Sequence, residues 1–327
     1  MNTETSYLGL RLKHPFVAGA SPMGYSVDHV KRLEDGGCAA VVLHSLFEEQ
    51  ITWQREGRVS GVTVGEREFA DIYSHFPEPS SYPLGPDEYA EHIRRLKQSV
   101  SIPVIGSLNG RTKAAWLKFA TAIEQAGADA LELNMYQVVT DLDVPAVHVE
   151  SQLVGIVEEV KALVRIPVAV KLSPFFTAFG NVARRLDEAG ASGLVMFNRF
   201  YQPDINIHTR RVSTHAELST SAELLLRLRW TAILYGRIEA SIAVSGGVAL
   251  PADGIKAVLA GADAVQVVSA LLRHGPAYIA AMRRGLEDWL ERQQIESLDE
   301  VRGSLSLESS RDPGAFERAH YIRGLHN

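Results

Sequence analysis

The sequence predicts an α/β protein of the TIM (β/α)8 barrel class, with loop insertions on the C-terminal face of the strands. Three observations predict it: one joint phrase repeated four times, eight apolar runs of strand length alternating with helical stretches, and no change of composition along 327 residues. The phrase reads EDGGCAAVVLHS from Glu34, EQAGADALELN from Glu124, DEAGASGLVMFN from Asp187 and VLAGADAVQVVS from Val258. In each copy a helical pattern stops at glycine, a small residue turns the chain, and an apolar run follows, which is the helix-to-strand joint of a βα unit. Repeating that joint builds a parallel sheet.

In chain order, the first strand is expected at residues 16–20, followed by a helix over 27–34. The second strand ends in VVLHS; the third is expected at 103–107, with a helix over 112–125. The fourth is ALELN, with a helix over 149–163, and the fifth lies at 167–172. The sixth is GLVMFN, with a helix over 219–235; the seventh lies at 241–245, before a proline-started helix over 251–259; the eighth is AVQVVS. An open doubly wound sheet is the rival, but no GxGxxG follows the first strand. Insertions at 45–86, 136–147 and 199–218 leave from strand C-termini, the face on which barrel enzymes place their sites, and are expected to form a lid. The whole chain, 1–327, is read as one domain, with 290–327 an extension packed outside the barrel or against a second subunit as a homodimer.

A hydrophobic fraction of 46% with 22% charged residues is the balance of a water-soluble globular chain. No apolar run approaches the roughly 18 residues of a membrane span. A net charge of −6 offers no general attraction to nucleic acid or anionic lipid. The opening residues lack a secretory pattern, and Cys38 is the single cysteine, so a reducing cytoplasm and a small-molecule partner are expected.

Several residues could carry chemistry. Ser245, Gly246 and Gly247 after the seventh strand, with Ser269 after the eighth, occupy the loops that cradle phosphate in barrels. Lys171 interrupts an apolar strand and needs an anion or an electron-rich ring; a ligand and an ion pair with Glu132 both answer that need. Asn134 and Asn198 close the fourth and sixth strands and Asn109 follows the third, and all three can read alternating donors and acceptors on a heterocycle. His44 could serve as acid or base, or simply donate a hydrogen bond. Cys38 opens the second strand, on the stability face, and is discounted as a nucleophile. No metal-ligand spacing occurs.

The segments LGLRLKHPFVAGAS, ELN, VAVKLSPFF, VSGGV, VQVVSAL and SLDEVRGSL stand in an order that resembles the dihydroorotate dehydrogenases, particularly their soluble class 1 branch, over essentially the whole chain. The resemblance implies an FMN-dependent barrel that oxidises a dihydropyrimidine C–C bond, with hydride going to the flavin while a base removes a proton. It implies flavin contacts from Ala18, Gly19, Ala20, Ser21 and Asn109, Lys171 at the pyrimidine edge, and Asn134 between flavin and substrate. Ser245, Gly246, Gly247 and Ser269 would hold the phosphate, and Asn198 the substrate.

The sequence departs from that family at the base. After ELN come Met135, Tyr136 and Gln137, and Gln137 stands where the family carries a cysteine or serine. An amide has no accessible basic state, so Tyr136 or His44 is expected to take the proton, and turnover of dihydroorotate is expected to be weak or absent. His44 replaces the family's lysine, and the family's asparagine-rich substrate loop is not recognisable in EEQITWQREGR or HFPEPSSYPLGP. Two other readings stay open. One is a non-catalytic or electron-relay flavoprotein subunit with a redox partner protein; the other is a flavin-free lyase or isomerase that acts on a phosphorylated metabolite through Lys171 as a Schiff-base amine.

Overall fold

The computed structural model describes residues 1–48, 85–110, 112–135, 137–199, 203–213 and 217–311. Most of the 45–86 insertion and residues 312–327 therefore lie outside the described residues.

A short antiparallel hairpin comes first, β1 (Thr5–Tyr7) and β2 (Leu10–Leu12). The barrel strands follow in chain order as β3 (Phe16–Ala18), β4 (Val41–Phe47), β5 (Val104–Asn109), β6 (Ala130–Asn134), β7 (Val168–Leu172), β8 (Gly193–Met196), β11 (Ser241–Ser245) and β12 (Ala264–Val267). They close in the order β11-β12-β3-β4-β5-β6-β7-β8, with parallel pairing throughout. Helices α1 (Val27–Asp35), α2 (Pro86–Ser99), α3 (Lys113–Gln125), α4 (Ala146–Leu163), α5 (Phe179–Glu188), α6 (Leu224–Leu234), α7 (Pro251–Ala260), α8 (Ser269–His274) and α9 (Tyr278–Gln293) surround it. The expected (β/α)8 class is the observed one.

The repeated phrase has a mechanical reading. Its glycines Gly37, Gly127, Gly190 and Gly261 all take positive φ, 95°, 92°, 89° and 116°, the conformation that reverses a helix end toward a strand. In three copies the leading acid stitches the joint to a neighbouring one. The Glu34 carboxylate accepts from Ser101 N at 2.8 Å, that of Glu124 from Arg165 N at 2.6 Å, and that of Asp187 from Ala240 N at 2.8 Å.

The floor of the barrel explains the amino terminus. Val17, Val42, Ile105, Ala130, Ala169, Val195, Ala243 and Ala264 pack with Tyr7, Leu8 and Leu12 in one cluster. Four of those inward residues are alanine, which leaves space that the hairpin fills. At Gly193 a Cβ would lie 2.5 Å from Leu8 Cδ2. Hydrogen bonds from Thr5 Oγ1 to Asp263 O (2.9 Å) and from Leu8 N to Ser241 Oγ (3.2 Å) hold the plug. Burial, then the charge of Glu132, pushes the Tyr7 phenol well above its usual range.

Three local differences from the expected elements matter for the site. Helix α6 begins at Leu224 rather than 219, after a single 3-10 turn over Ser221–Glu223. The 199–218 insertion contains a two-stranded hairpin, β9 (Asp204–Asn206) with β10 (Arg211–Ser213). Strand β4 carries one extra residue between Val42 and Ser45 relative to β5. Residues after α9 run along the outside of the barrel, with Gly303 N bonded to Val258 O (3.0 Å) and Leu307 N to Ala232 O (2.8 Å). No helix among the described residues is long and apolar enough to cross a membrane.

Candidate active site

Strand alternation lines the barrel above its floor with an unusual layer. Glu132 on β6 and Gln266 on β12 are fully buried, and Lys171 on β7 is 6% exposed. Lys171 Nζ donates to Gln266 Oε1 at 3.1 Å and lies 3.4 Å from Glu132 Oε1, while Gln266 Nε2 donates to Glu132 Oε2 at 2.5 Å. The amide thus bridges anion and cation, and its orientation is fixed because only one assignment satisfies both neighbours. Such a pair survives burial through this added hydrogen bonding. Schiff-base chemistry needs an amine free to attack a carbonyl, and Lys171 Nζ is already engaged by Gln266 and Glu132. Gln266 was not singled out from the sequence, because inside VQVV it reads as one polar interruption of an apolar run.

Above this layer the rim is made of amides and hydroxyls. Asn109 Nδ2 donates to Asn134 O (2.9 Å), Asn134 Nδ2 to Ser45 Oγ (3.1 Å), and Ser45 and Ser107 share a hydrogen bond of 2.8 Å. Asn198 Nδ2 lies 3.4 Å from Lys171 O, on the other flank of the lysine. Among the described residues, the buried Ser21 Oγ and Asn134 Oδ1 have no hydrogen-bond partner. Ala18 ends β3, and at Gly19 a Cβ would lie 2.7 Å from Val268 Cγ2 and 3.2 Å from Gln266 Oε1, so glycine lets the backbone lie flush beside the bridging amide. Ala20, half-buried, packs against the inner cluster.

The proton-transfer candidates separate. The extra residue in β4 brings Ser45, rather than His44, onto the face of Ser107, as a bulge does. The His44 ring instead lies against Tyr25 and Tyr89, with centroids at 4.2 and 5.1 Å. Tyr89, on α2, donates to His44 O (2.8 Å) and accepts from Ser107 N (2.9 Å), which ties the bulge to β5. Gln137 is exposed in the loop after Met135, and Tyr136 lies outside the described residues. Cys38 is buried, and desolvation pushes its thiol up to about 12, which removes the thiolate a nucleophile needs.

On the opposite side, the phosphate candidates converge. Gly246 and Gly247 turn with φ of 85° and 78°. Gly247 N donates to Ser219 Oγ (3.2 Å), Ser219 N donates to Ser269 Oγ (3.0 Å), and the two hydroxyls lie 2.8 Å apart. Ser219 is therefore a member that the sequence reading missed, having been placed inside a helix. Asp253 Oδ2 fixes the loop by accepting from Ser221 Oγ, Ala249 N and Leu250 N at 2.6, 3.0 and 2.9 Å. No hydrogen bond among the described residues uses the N–H of Gly246 or Ser269. No cluster of His, Cys, Asp or Glu able to hold a metal occurs among the described residues.

With this geometry in hand, comparison with known proteins is decisive, because the family model described as dihydroorotate dehydrogenase matches residues 82–290. The chain belongs to the dihydroorotate dehydrogenase family. A similar protein from Methanocella arvoryzae, dihydroorotate dehydrogenase B (NAD(+)), catalytic subunit, is 28% identical over 305 residues, covering 90% of this chain and 95% of that one. The catalytic subunit of the same name from Thermoplasma volcanium is 27% identical over 311 residues, covering 92% and 97%. A protein from Aeropyrum pernix, provisionally named dihydroorotate dehydrogenase A (fumarate), is 27% identical over 318 residues, covering 91% and 95%. As a dihydroorotate dehydrogenase family member, the chain is an oxidoreductase of the type that acts on a CH–CH bond.

Proposed function

We propose that this barrel binds FMN across its mouth and moves hydride between the flavin and a small cyclic CH–CH substrate, dihydroorotate or a close relative. The observation that carries this reading is Lys171, buried beside Asn134 near the strand ends and reaching Gln266 across the barrel. The residues fit a flavin. Ser21 Oγ and Asn134 Oδ1 are sealed oxygens in need of donors, and the N–H groups of Gly246 and Ser269 are donors in need of an acceptor. Gly19 lets the end of β3 lie flush against Val268 and Gln266, where a Cβ would clash.

When bound, FMN supplies the hydride acceptor. Lys171 would place positive charge at the pyrimidine edge, where charge accumulates on reduction. Ala18, Gly19, Ala20, Ser21, Asn109 and Asn134 would hold the ring system, and Ser245, Gly246, Gly247 and Ser269 the phosphate. Asn134 and Asn198, on either flank of Lys171, would orient the substrate. Gln137 cannot take the substrate proton, and loss of a positioned base costs about 10² to 10⁴ in rate. Tyr136 would supply that function, since the β4 bulge leaves the His44 ring against Tyr25 and Tyr89, and dihydroorotate itself would be turned over slowly.

Absorbance of the purified protein tests the cofactor. A yellow species with a bound flavin band is expected, and colourless protein that takes up no micromolar FMN sinks the proposal. Stopped-flow bleaching tests the base: slow reduction by dihydroorotate is expected. Fast reduction untouched by His44→Ala or Tyr136→Phe excludes both residues.

A second reading concerns assembly. Relatives from Thermoplasma volcanium and Methanocella arvoryzae are named as catalytic subunits, which supports a companion redox subunit here. With Cys38 alone, this chain cannot ligate a four-cysteine iron–sulfur cluster, so that centre would belong to the companion. Co-purification of a flavin-reducing partner is the expected result.

A further inference from the structure

Resting on the FMN reading, we propose that Arg227 is a phosphate-recognition residue, whose guanidinium under the Gly246–Gly247 turn makes the site select a flavin phosphomonoester over phosphate-free flavin. The first observation is one of helical phase. The buried face of α6 is formed by Leu224, Arg227, Thr231 and Leu234, so an arginine occupies a position that the 3.6-residue period reserves for apolar side chains. Arg229, two residues on, is exposed in the ordinary way. A charge at a core-facing position requires a compensating partner.

Among the described residues no carboxylate takes that role by hydrogen bonding. Arg227 Nε donates to Ser245 O (3.0 Å) and Nη1 to Glu223 O (2.6 Å), both backbone carbonyls. The Glu223 carboxylate is turned to the helix cap, where it accepts from Thr220 N at 3.4 Å and lies 4.0 Å from Arg199 Nη2. Nη2 of Arg227 makes no hydrogen bond among the described residues, and a Cβ on Gly246 would lie 3.0 Å from it. The glycine therefore rests directly on the guanidinium. Desolvation works against the charge, with Glu223 opposing and Arg199 adding to that effect. A dianion beside the free N–H of Gly246 and the Ser219–Ser269 pair would reverse that balance, and a guanidinium is suited to phosphate oxygens.

The experiment measures Kd for FMN and for riboflavin on flavin-free protein, by quenching of flavin fluorescence, in the wild type, Arg227→Gln, Arg227→Met and the exposed control Arg229→Gln. Wild-type protein is expected to prefer FMN. In the neutral Arg227 variants FMN affinity is expected to fall about 10- to 100-fold while riboflavin affinity holds, and Arg229→Gln is expected to leave both unchanged. Riboflavin retention doubles as a check that the barrel is folded. An unchanged FMN-to-riboflavin ratio in either neutral variant that still binds riboflavin overturns the inference. So does parallel loss of both flavins in the two variants, which marks Arg227 as a tie between α6 and β11. Wild-type protein that binds neither flavin instead overturns the FMN reading itself.

Discussion

At the barrel centre, an anion, a cation and a single amide settle one another's geometry. Glu132→Leu leaves the Lys171 ammonium without its carboxylate in a buried layer, and breaking such a pair costs about 3–5 kcal/mol. Urea unfolding should show a loss of that size, with Glu132→Leu combined with Lys171→Met losing much less because no stranded charge remains. Lys171 was legible in the sequence because a charge inside VAVKL violates the strand pattern, and Asn109 and Asn134 were legible because they end strands. Gln266 was not, since an uncharged polar residue in an apolar run gives no sign of its partner. Ser219 was hidden by a helix boundary that lies five residues further on. His44 shows a different limit: simple alternation cannot foresee one extra residue in β4, and that residue decides which face a side chain takes.

Among elements, the repeated joint was the most readable feature, because the glycine demanded by a positive φ leaves a fixed mark in the chain. Its leading acid carried a second message that spacing alone does not disclose, since the N–H groups it meets lie more than forty residues downstream. The β1–β2 hairpin escaped notice because three-residue strands are too short to show alternation. Its fit can be challenged from the opposite wall. Gly193→Val drives a side chain into Leu8 and toward Ser241 O, which lies 3.2 Å from the Cβ position. Overpacking of this kind costs about 1–3 kcal/mol, read as a lowered urea midpoint with an unchanged slope. Relief by Leu8→Ala in the double variant is expected, and its absence would place the strain elsewhere.

For the molecule as a whole, acid should weaken the fold through histidines kept neutral inside it. His14 is lowered to about 4, chiefly by burial; its Nε2 donates to Gly37 O (2.7 Å) while Nδ1 accepts from Phe16 N (3.2 Å), so a second ring proton has no place. Desolvation lowers His29 and His92 as well. Because the unfolded chain protonates these rings near pH 6.5 and the folded one does not, their contribution is intact above that value and fades as pH falls toward 4. His14 alone accounts for roughly 3 kcal/mol over the full window. Asp263, raised by burial, runs the other way and offsets part of it. Urea midpoints at pH 7.5 and 5 should therefore differ in the wild type and differ less in His14→Gln; equal pH sensitivity would remove His14 from the account. The amino-terminal plug bears on traffic. With Tyr7 and Leu8 stoppering one end, the described barrel is a blind shaft rather than a bore, so on the proposed reading a molecule bound at Lys171 would arrive and depart through the opposite mouth alone. Two reactants that both need that doorway would take turns.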